Sequence, residues 1–153
     1  MAHIIEKLRQ DHEKVAQIFE KLANAEDGKT TVREALCQQL INEIEAHAEF
    51  EEQVFYPAIQ KASDDAADEV EEAIDEHDEV KDMLEQLKTL DSDDDEIVSL
   101  LEELQEAVAA HVQHEETDIF PLAQEELEDT EAREMAQKHD SMAKAYMEQH
   151  AGR

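Results

Sequence analysis

A formal charge of −30 on 153 residues, from 43 acidic against 13 basic side chains, repels nucleic acid and anionic membrane and argues against partners of either kind. Hydrophobic residues at 41% are enough for one buried core, so the acidity does not imply disorder, while two glycines and two prolines leave little to punctuate strands. The lone Cys37 excludes an intrachain disulfide and is expected in the core; with no apolar leader in MAHIIEKLRQ and no run of membrane-spanning length, the expected location is the cytoplasm.

The first predicted helix carries the stripe Ile5, Leu8, His12, Val15, Phe19, Leu22 and stops near Glu26-Asp27-Gly28, with Gly28 as the breaker. A second starts at Thr30 and carries Cys37, Leu40, Ile44, His47, Glu51, Val54 up to a break at 62–65. Ser63 or Asp64 caps a third, with Val70, Ile74, His77, Val80, Leu84, Leu87, which ends in the acidic run 91–95. Ser92 or Asp93 caps a fourth, with Ile97, Leu101, Leu104, Val108, His111, Glu115, Leu122. After Glu128-Asp129-Thr130 a shorter fifth runs from Thr130 to Gln149, with Ala132, Met135, Ala136, His139, Met142, Ala143, Tyr146 and Met147 on one side. Spacings of three and four make these the seams of a packed bundle. The expected architecture is all-α: an up-and-down four-helix bundle over residues 1–128 and a C-terminal helix over 129–153. That last helix packs on the bundle, forms a homodimer seam or docks a partner, so monomer and homodimer both stay open.

Within the stripes one pattern occurs twice. His12 is followed 35 residues later by His47 and one turn on by Glu51; His77 is followed after 34 by His111 and then Glu115. Flanking residues repeat too, His47-AEFEEQVFYP against His111-VQHEETDIFP. All six side chains occupy positions where a bundle normally has apolar ones. Burying them without partners costs about 1–3 kcal/mol for each polar group and far more for a lone carboxylate. Coordination to a cation removes that cost. In an antiparallel bundle the six reach one level, with Glu51 and Glu115 able to bridge two metals and the four imidazoles in terminal positions. Imidazole with carboxylate suits iron, then manganese or zinc, and is too nitrogen-rich for calcium or magnesium.

His12, His47-x-x-x-Glu51, His77 and His111-x-x-x-Glu115, with Phe55-Tyr56-Pro57 and Phe120-Pro121 after the His-Glu turns, resemble the hemerythrin-like family of His-His-Glu cation-binding domains over residues 3 to 127. The resemblance implies a four-helix bundle around an oxo- or hydroxo-bridged pair of iron ions that binds dioxygen or related small molecules. Oxygen-carrying hemerythrins have a His-x-x-x-His pair on the third helix and a longer His-to-Asp spacing on the fourth. Here Ala73 and Lys81 flank His77 by one turn, and the fourth helix has His-x-x-x-Glu. One imidazole is therefore missing relative to the carriers, and each iron keeps an open position. Two adjacent openings favour peroxide or nitric oxide chemistry over clean reversible oxygenation.

Around this set, His114 is a possible further ligand but more readily a peripheral group. Glu52 and Glu116 are expected to orient ligand imidazoles or face water. Tyr56 is expected to pack at a helix bend, with a proton-donor role as the alternative. His3, His139 and His150 are expected at the surface. The functional expectation is a di-iron protein that stores, senses or detoxifies dioxygen, nitric oxide or hydrogen peroxide, with catalase-like or nitric-oxide-reducing turnover open. The alternatives are a di-iron oxidase or oxygenase, for which the stripes leave no evident substrate gap, and an iron-responsive regulatory module, for which no effector domain is evident.

Overall fold

The computed structural model describes residues 3–24, 30–91 and 94–150, and among these it is all helix, with no strand. In chain order the elements are α1 (Ile4–Asn24), α2 (Thr30–Phe50), α3 (Tyr56–Ala62), α4 (Ala66–Thr89), α5 (Glu96–His114), α6 (Phe120–Glu126) and α7 (Asp129–Gln149). Two π turns, Glu51–Phe55 and Glu115–Ile119, join α2 to α3 and α5 to α6, so each pair is one long helix, as the stripes predicted. The fifth helix begins one residue earlier than expected.

Helix starts are set by short polar side chains. His3 Nδ1 accepts the Ile5 N–H at 3.1 Å, Ser63 Oγ the Asp65 N–H at 3.2 Å, and Asp94 Oδ1 the Glu96 N–H at 3.0 Å. The cap of α4 is Asp65, whose side chain makes no capping bond, and neither Ser63 nor Asp64 takes the expected place. The expected stop at Gly28 and caps at Ser92 or Asp93 lie outside the described residues.

Two apolar clusters show how the helices run. One gathers the start of α1 (Ile4, Ile5, Leu8), the α2–α3 junction (Phe50, Phe55, Ile59), the start of α4 (Val70, Ala73) and the α5–α6 junction (Ile119, Phe120). The other gathers the end of α1 (Phe19, Leu22), the body of α2 (Leu40, Ile44), the end of α4 (Leu84, Leu87) and the start of α5 (Ile97, Leu104). Successive long helices therefore alternate in direction, an up-and-down four-helix bundle. His12, His47, Glu51, His77, His111 and Glu115 fall between the two clusters on their helices, so a polar layer interrupts an otherwise apolar core. Helix α7 lies across α1 and α2, with Ala132 and Met135 built into the first cluster. No described helix is long and apolar enough to cross a membrane.

Each π turn is held by an i to i+5 bond, Tyr56 N–H to the Glu51 carbonyl and Phe120 N–H to the Glu115 carbonyl. The chain's two prolines, Pro57 and Pro121, follow directly. Proline inside a helix has no N–H and crowds the carbonyl one turn back, so a helix that must continue through it gains from a wider turn there. The inserted residue also unwinds the helix by about 100°. That rotation brings Tyr56 inward, where an unbroken helix would carry it away from the His47 face.

Leu104 is fully buried in the second cluster, away from the polar layer. Leu104→Ala should cost about 2–5 kcal/mol in urea unfolding, with metal content per folded chain unchanged.

Candidate metal centre

The polar layer brings all six predicted site residues together. Every histidine turns Nε2 inward. His12 Nε2 lies 3.0 Å from Glu115 Oε1, and His77 Nε2 lies 3.0 Å from Glu51 Oε1. Glu51 also faces His47 Nε2 at 3.2 Å and His111 Nε2 at 3.6 Å, while Glu115 faces His111 at 3.3 Å and His47 at 3.8 Å. Each carboxylate thus reaches imidazoles from both halves of the bundle. Both glutamates are fully buried.

The donors form two groups that could each hold a metal ion, His12 with His47 and Glu115, and His77 with His111 and Glu51. His77 Nε2 and His111 Nε2 are 3.0 Å apart. Metal–nitrogen bonds of about 2.1 Å meeting at a right angle would separate their nitrogens by about the same distance. His47 Nε2 and Glu51 Oε2 are buried without any hydrogen-bond partner. Buried polar atoms are ordinarily paired, so two orphans aimed into one layer fit a cation between them.

Burial pushes Glu51 toward its neutral acid, but the charge of His47 and the surrounding hydrogen bonds outweigh it and hold the carboxyl well below its ordinary range. For His111, burial acts downward, and the hydrogen bonds to Glu115, Glu51 and Glu76 overcome it to bring the imidazole up to about 11. Each group keeps its charge because its neighbours carry the opposite one.

A second ring of carboxylates holds the outward nitrogens. Nδ1–H of His47 donates to Asp11 Oδ2 at 2.8 Å, that of His77 to Glu52 Oε2 at 2.9 Å, and that of His111 to Glu76 Oε1 at 2.8 Å. Such contacts keep the Nδ1 proton outward, so that a metal would displace the proton on Nε2. Each carboxylate is itself anchored: Asp11 by His139 Nε2 at 2.6 Å, Glu52 by Lys81 Nζ at 2.7 Å and Glu76 by His114 Nδ1 at 2.9 Å.

Several side chains depart from expectation. His139 is not at the surface; it is buried and ties α7 to α1 through Asp11. His3 and His150 are half-buried, His150 stacking on Tyr146 with ring centres 3.9 Å apart. Tyr56 does more than pack. Its hydroxyl donates to Glu115 Oε2 at 2.7 Å and sits 3.2 Å from Glu51 Oε1, because the π turn rotates it inward. Burial first, and then the negative charge of both glutamates, drive its phenol far above the ordinary range, so it stays a donor. His114 stands outside the central donors, between Glu76 and Glu69 (2.6 Å). Glu52 orients an imidazole as expected, whereas Glu116 is exposed and pairs with Arg9 at 3.5 Å. Cys37 is buried in the second cluster. Asp11 and Glu76 went unnoticed, although an acidic residue precedes the leading histidine in both repeats, at Asp11-His12 and Glu76-His77.

A family model, the hemerythrin HHE cation binding domain, matches residues 3–123. The chain belongs to this hemerythrin HHE family. Cation binding is the property that membership carries. A crystal structure of a hemerythrin HHE cation binding domain-containing protein from Mycobacterium kansasii superposes with a TM-score of 0.83 at 24% identity, over 95% of this chain and 88% of that one. Among curated relatives, a DNA nickase from Nostoc is 28% identical over 150 residues, and an uncharacterized hemerythrin-like protein from Schizosaccharomyces pombe 26% over 145. The match takes in 98% and 94% of this chain, but only 41% of the nickase and 70% of the yeast protein.

Removing the Tyr56 hydroxyl deprives the buried Glu115 carboxylate of its donor while keeping the ring. Tyr56→Phe should therefore destabilise the metal-free HHE domain by about 1–3 kcal/mol, read from chemical denaturation.

Proposed function

We propose that this HHE domain holds two iron ions between Glu51 and Glu115, and binds dioxygen, nitric oxide or hydrogen peroxide there. The observation that carries the reading is that each glutamate faces imidazoles of both halves, the arrangement expected of carboxylates shared by two metals. His12 and His47 would serve one ion, and His77 and His111 the other. Iron supplies open coordination positions and one-electron redox steps for small molecules. Manganese or zinc would fit the same donors less well in that role.

The chain's own residues set what can reach the centre. A cavity of about 40 Å³ adjoins the four histidines, walled by Val15, Ile44, Val80, Leu84, Val108 and Val112. It has room for a few atoms, since one water needs about 10–15 Å³ on this measure. A diatomic or a peroxide fits this cavity, which favours small ligands at the centre over an organic substrate held within it. Tyr56 holds its proton beside Glu115 Oε2, a donor within the site for a bound molecule that gains negative charge. The charge of −30 opposes binding to a phosphate backbone, so the activity of the nickase relative is not carried over to this chain.

Aerobic purification with metal analysis tests this reading. Two irons per chain and near-ultraviolet charge-transfer bands are expected. Glu51→Ala or Glu115→Ala should disturb both metals together; either variant retaining two tightly bound irons and an unchanged spectrum overturns the shared-carboxylate assignment. Loading should also stabilise the fold, since a ligand at a thousandfold excess over its Kd adds about 4 kcal/mol. Equal melting temperatures for loaded and metal-free protein would contradict the reading.

A further inference from the structure

The two halves of the layer follow one rule, broken at a single point. The acid before each leading histidine holds the other histidine of its own half: Asp11 holds His47 and Glu76 holds His111. The acid after each shared glutamate should hold the leading histidine of the opposite half. Glu52, after Glu51, holds His77 at 2.9 Å. Glu116, after Glu115, should hold His12 in the same way. It does not. Glu116 Oε1 instead faces Arg9 Nε at 3.5 Å, and His12 Nδ1 is buried with no hydrogen-bond partner.

Arg9 is where the repeat departs. It stands three residues before His12, and the residue three before His77 is Ile74, which cannot draw a carboxylate away. The guanidinium rests over the Phe120 ring, 5.8 Å from its centre, which fixes it beside Glu116. His12 is left with a ring contact alone, stacked on Phe120 at 5.6 Å and 10°. Stacking sets the plane of an imidazole but not its tautomer.

We propose that the two metal positions are unequal, with the one served by His12 and His47 weaker and exchangeable because Arg9 holds Glu116 off His12. The proposal rests on the dinuclear reading above and deepens it. Losing the carboxylate behind a metal-bound imidazole typically costs about 10–100-fold in affinity. A groove also opens on this side of the molecule. Of about 390 Å³, it lies between α1 and α5 and runs down to His12 past Ala16, Val108, Val112 and Glu116. Val108, Val112 and Val15 wall both this groove and the inner cavity. The weaker position thus lies beside the wall that a metal or small ligand would cross from outside.

Titration of the metal-free full chain with Co²⁺ tests this, using visible absorption for affinity and shifted proton resonances for the imidazole N–H groups. The first equivalent should bind at least about tenfold tighter than the second. In the loaded protein three ring N–H resonances should exchange slowly with water and one quickly. Arg9→Leu changes a largely exposed side chain and frees Glu116, so the second step should tighten about tenfold and the fourth N–H should become slow. Adding Glu116→Ala to that variant should reverse both gains. A second step as tight as the first in the natural protein overturns the proposal while leaving the dinuclear reading intact. So does an Arg9→Leu variant with an unchanged second step. A chain that takes up only one Co²⁺ overturns the dinuclear reading, and this proposal with it.

Discussion

Two carboxylates and four imidazoles stand in the middle of a core that is apolar on either side, and the rest of the molecule is organised around making that tolerable. An unpaired carboxylate in such a place would cost several kcal/mol. Here Glu51 and Glu115 each have imidazole nitrogens and the Tyr56 hydroxyl within reach, and three of the four imidazoles are backed by further acids. Charge alternates outward, from acid to imidazole to acid to base. At each step a side chain that would repel its like neighbours is held by an opposite one.

The backbone contributes through the two π turns. A regular helix could stack His47 over Glu51, or His111 over Glu115, but the side chains beyond would then follow the ordinary period. Unwinding at Glu51–Phe55 and Glu115–Ile119 lets Tyr56 and Phe120 turn inward beside Phe55 and Ile119, which the ordinary period already brings there. These four side chains close the layer on one side, and Tyr56 gives it a hydroxyl. Pro57 and Pro121 make the wider turn the easier conformation, because each would otherwise crowd a carbonyl in the preceding turn.

Helix α7 joins the centre through His139. His139 reaches Asp11, which holds His47, so docking of the C-terminal helix and orientation of a site imidazole share one carboxylate. Burial raises the cost of ionising Asp11, yet the hydrogen bonds from His139 and His47 prevail and keep its carboxyl far below the ordinary range. The counterpart in the other half is His114 on Glu76, taken from the bundle itself rather than from an added helix. The two halves reach similar ends with different parts, and at Glu116 the likeness fails.

The fold and the inner residues were legible in the sequence because both are periodic. Stripes at spacings of three and four located the four long helices, and a duplicated His, His-x-x-x-Glu pattern on those stripes named the six side chains that the structure brings together. Legibility ended where a side chain acts out of its helical period or across a large sequence separation. Tyr56 lies on the wrong face of a regular helix and enters the site only through the π turn. His139 is 128 residues from Asp11, in a helix outside the repeat, and although it lies on the apolar side of that helix nothing local names its partner. Glu116 stands where Glu52 stands in the other half, and sequence assigns both the same task. Which acid reaches its imidazole depended on a competing cation, Arg9, one helix away. Sequence by itself determined which residues face the core, since that follows from the period of a helix. Only the tertiary structure decided which charges pair, because pairing depends on distances between helices that no period contains.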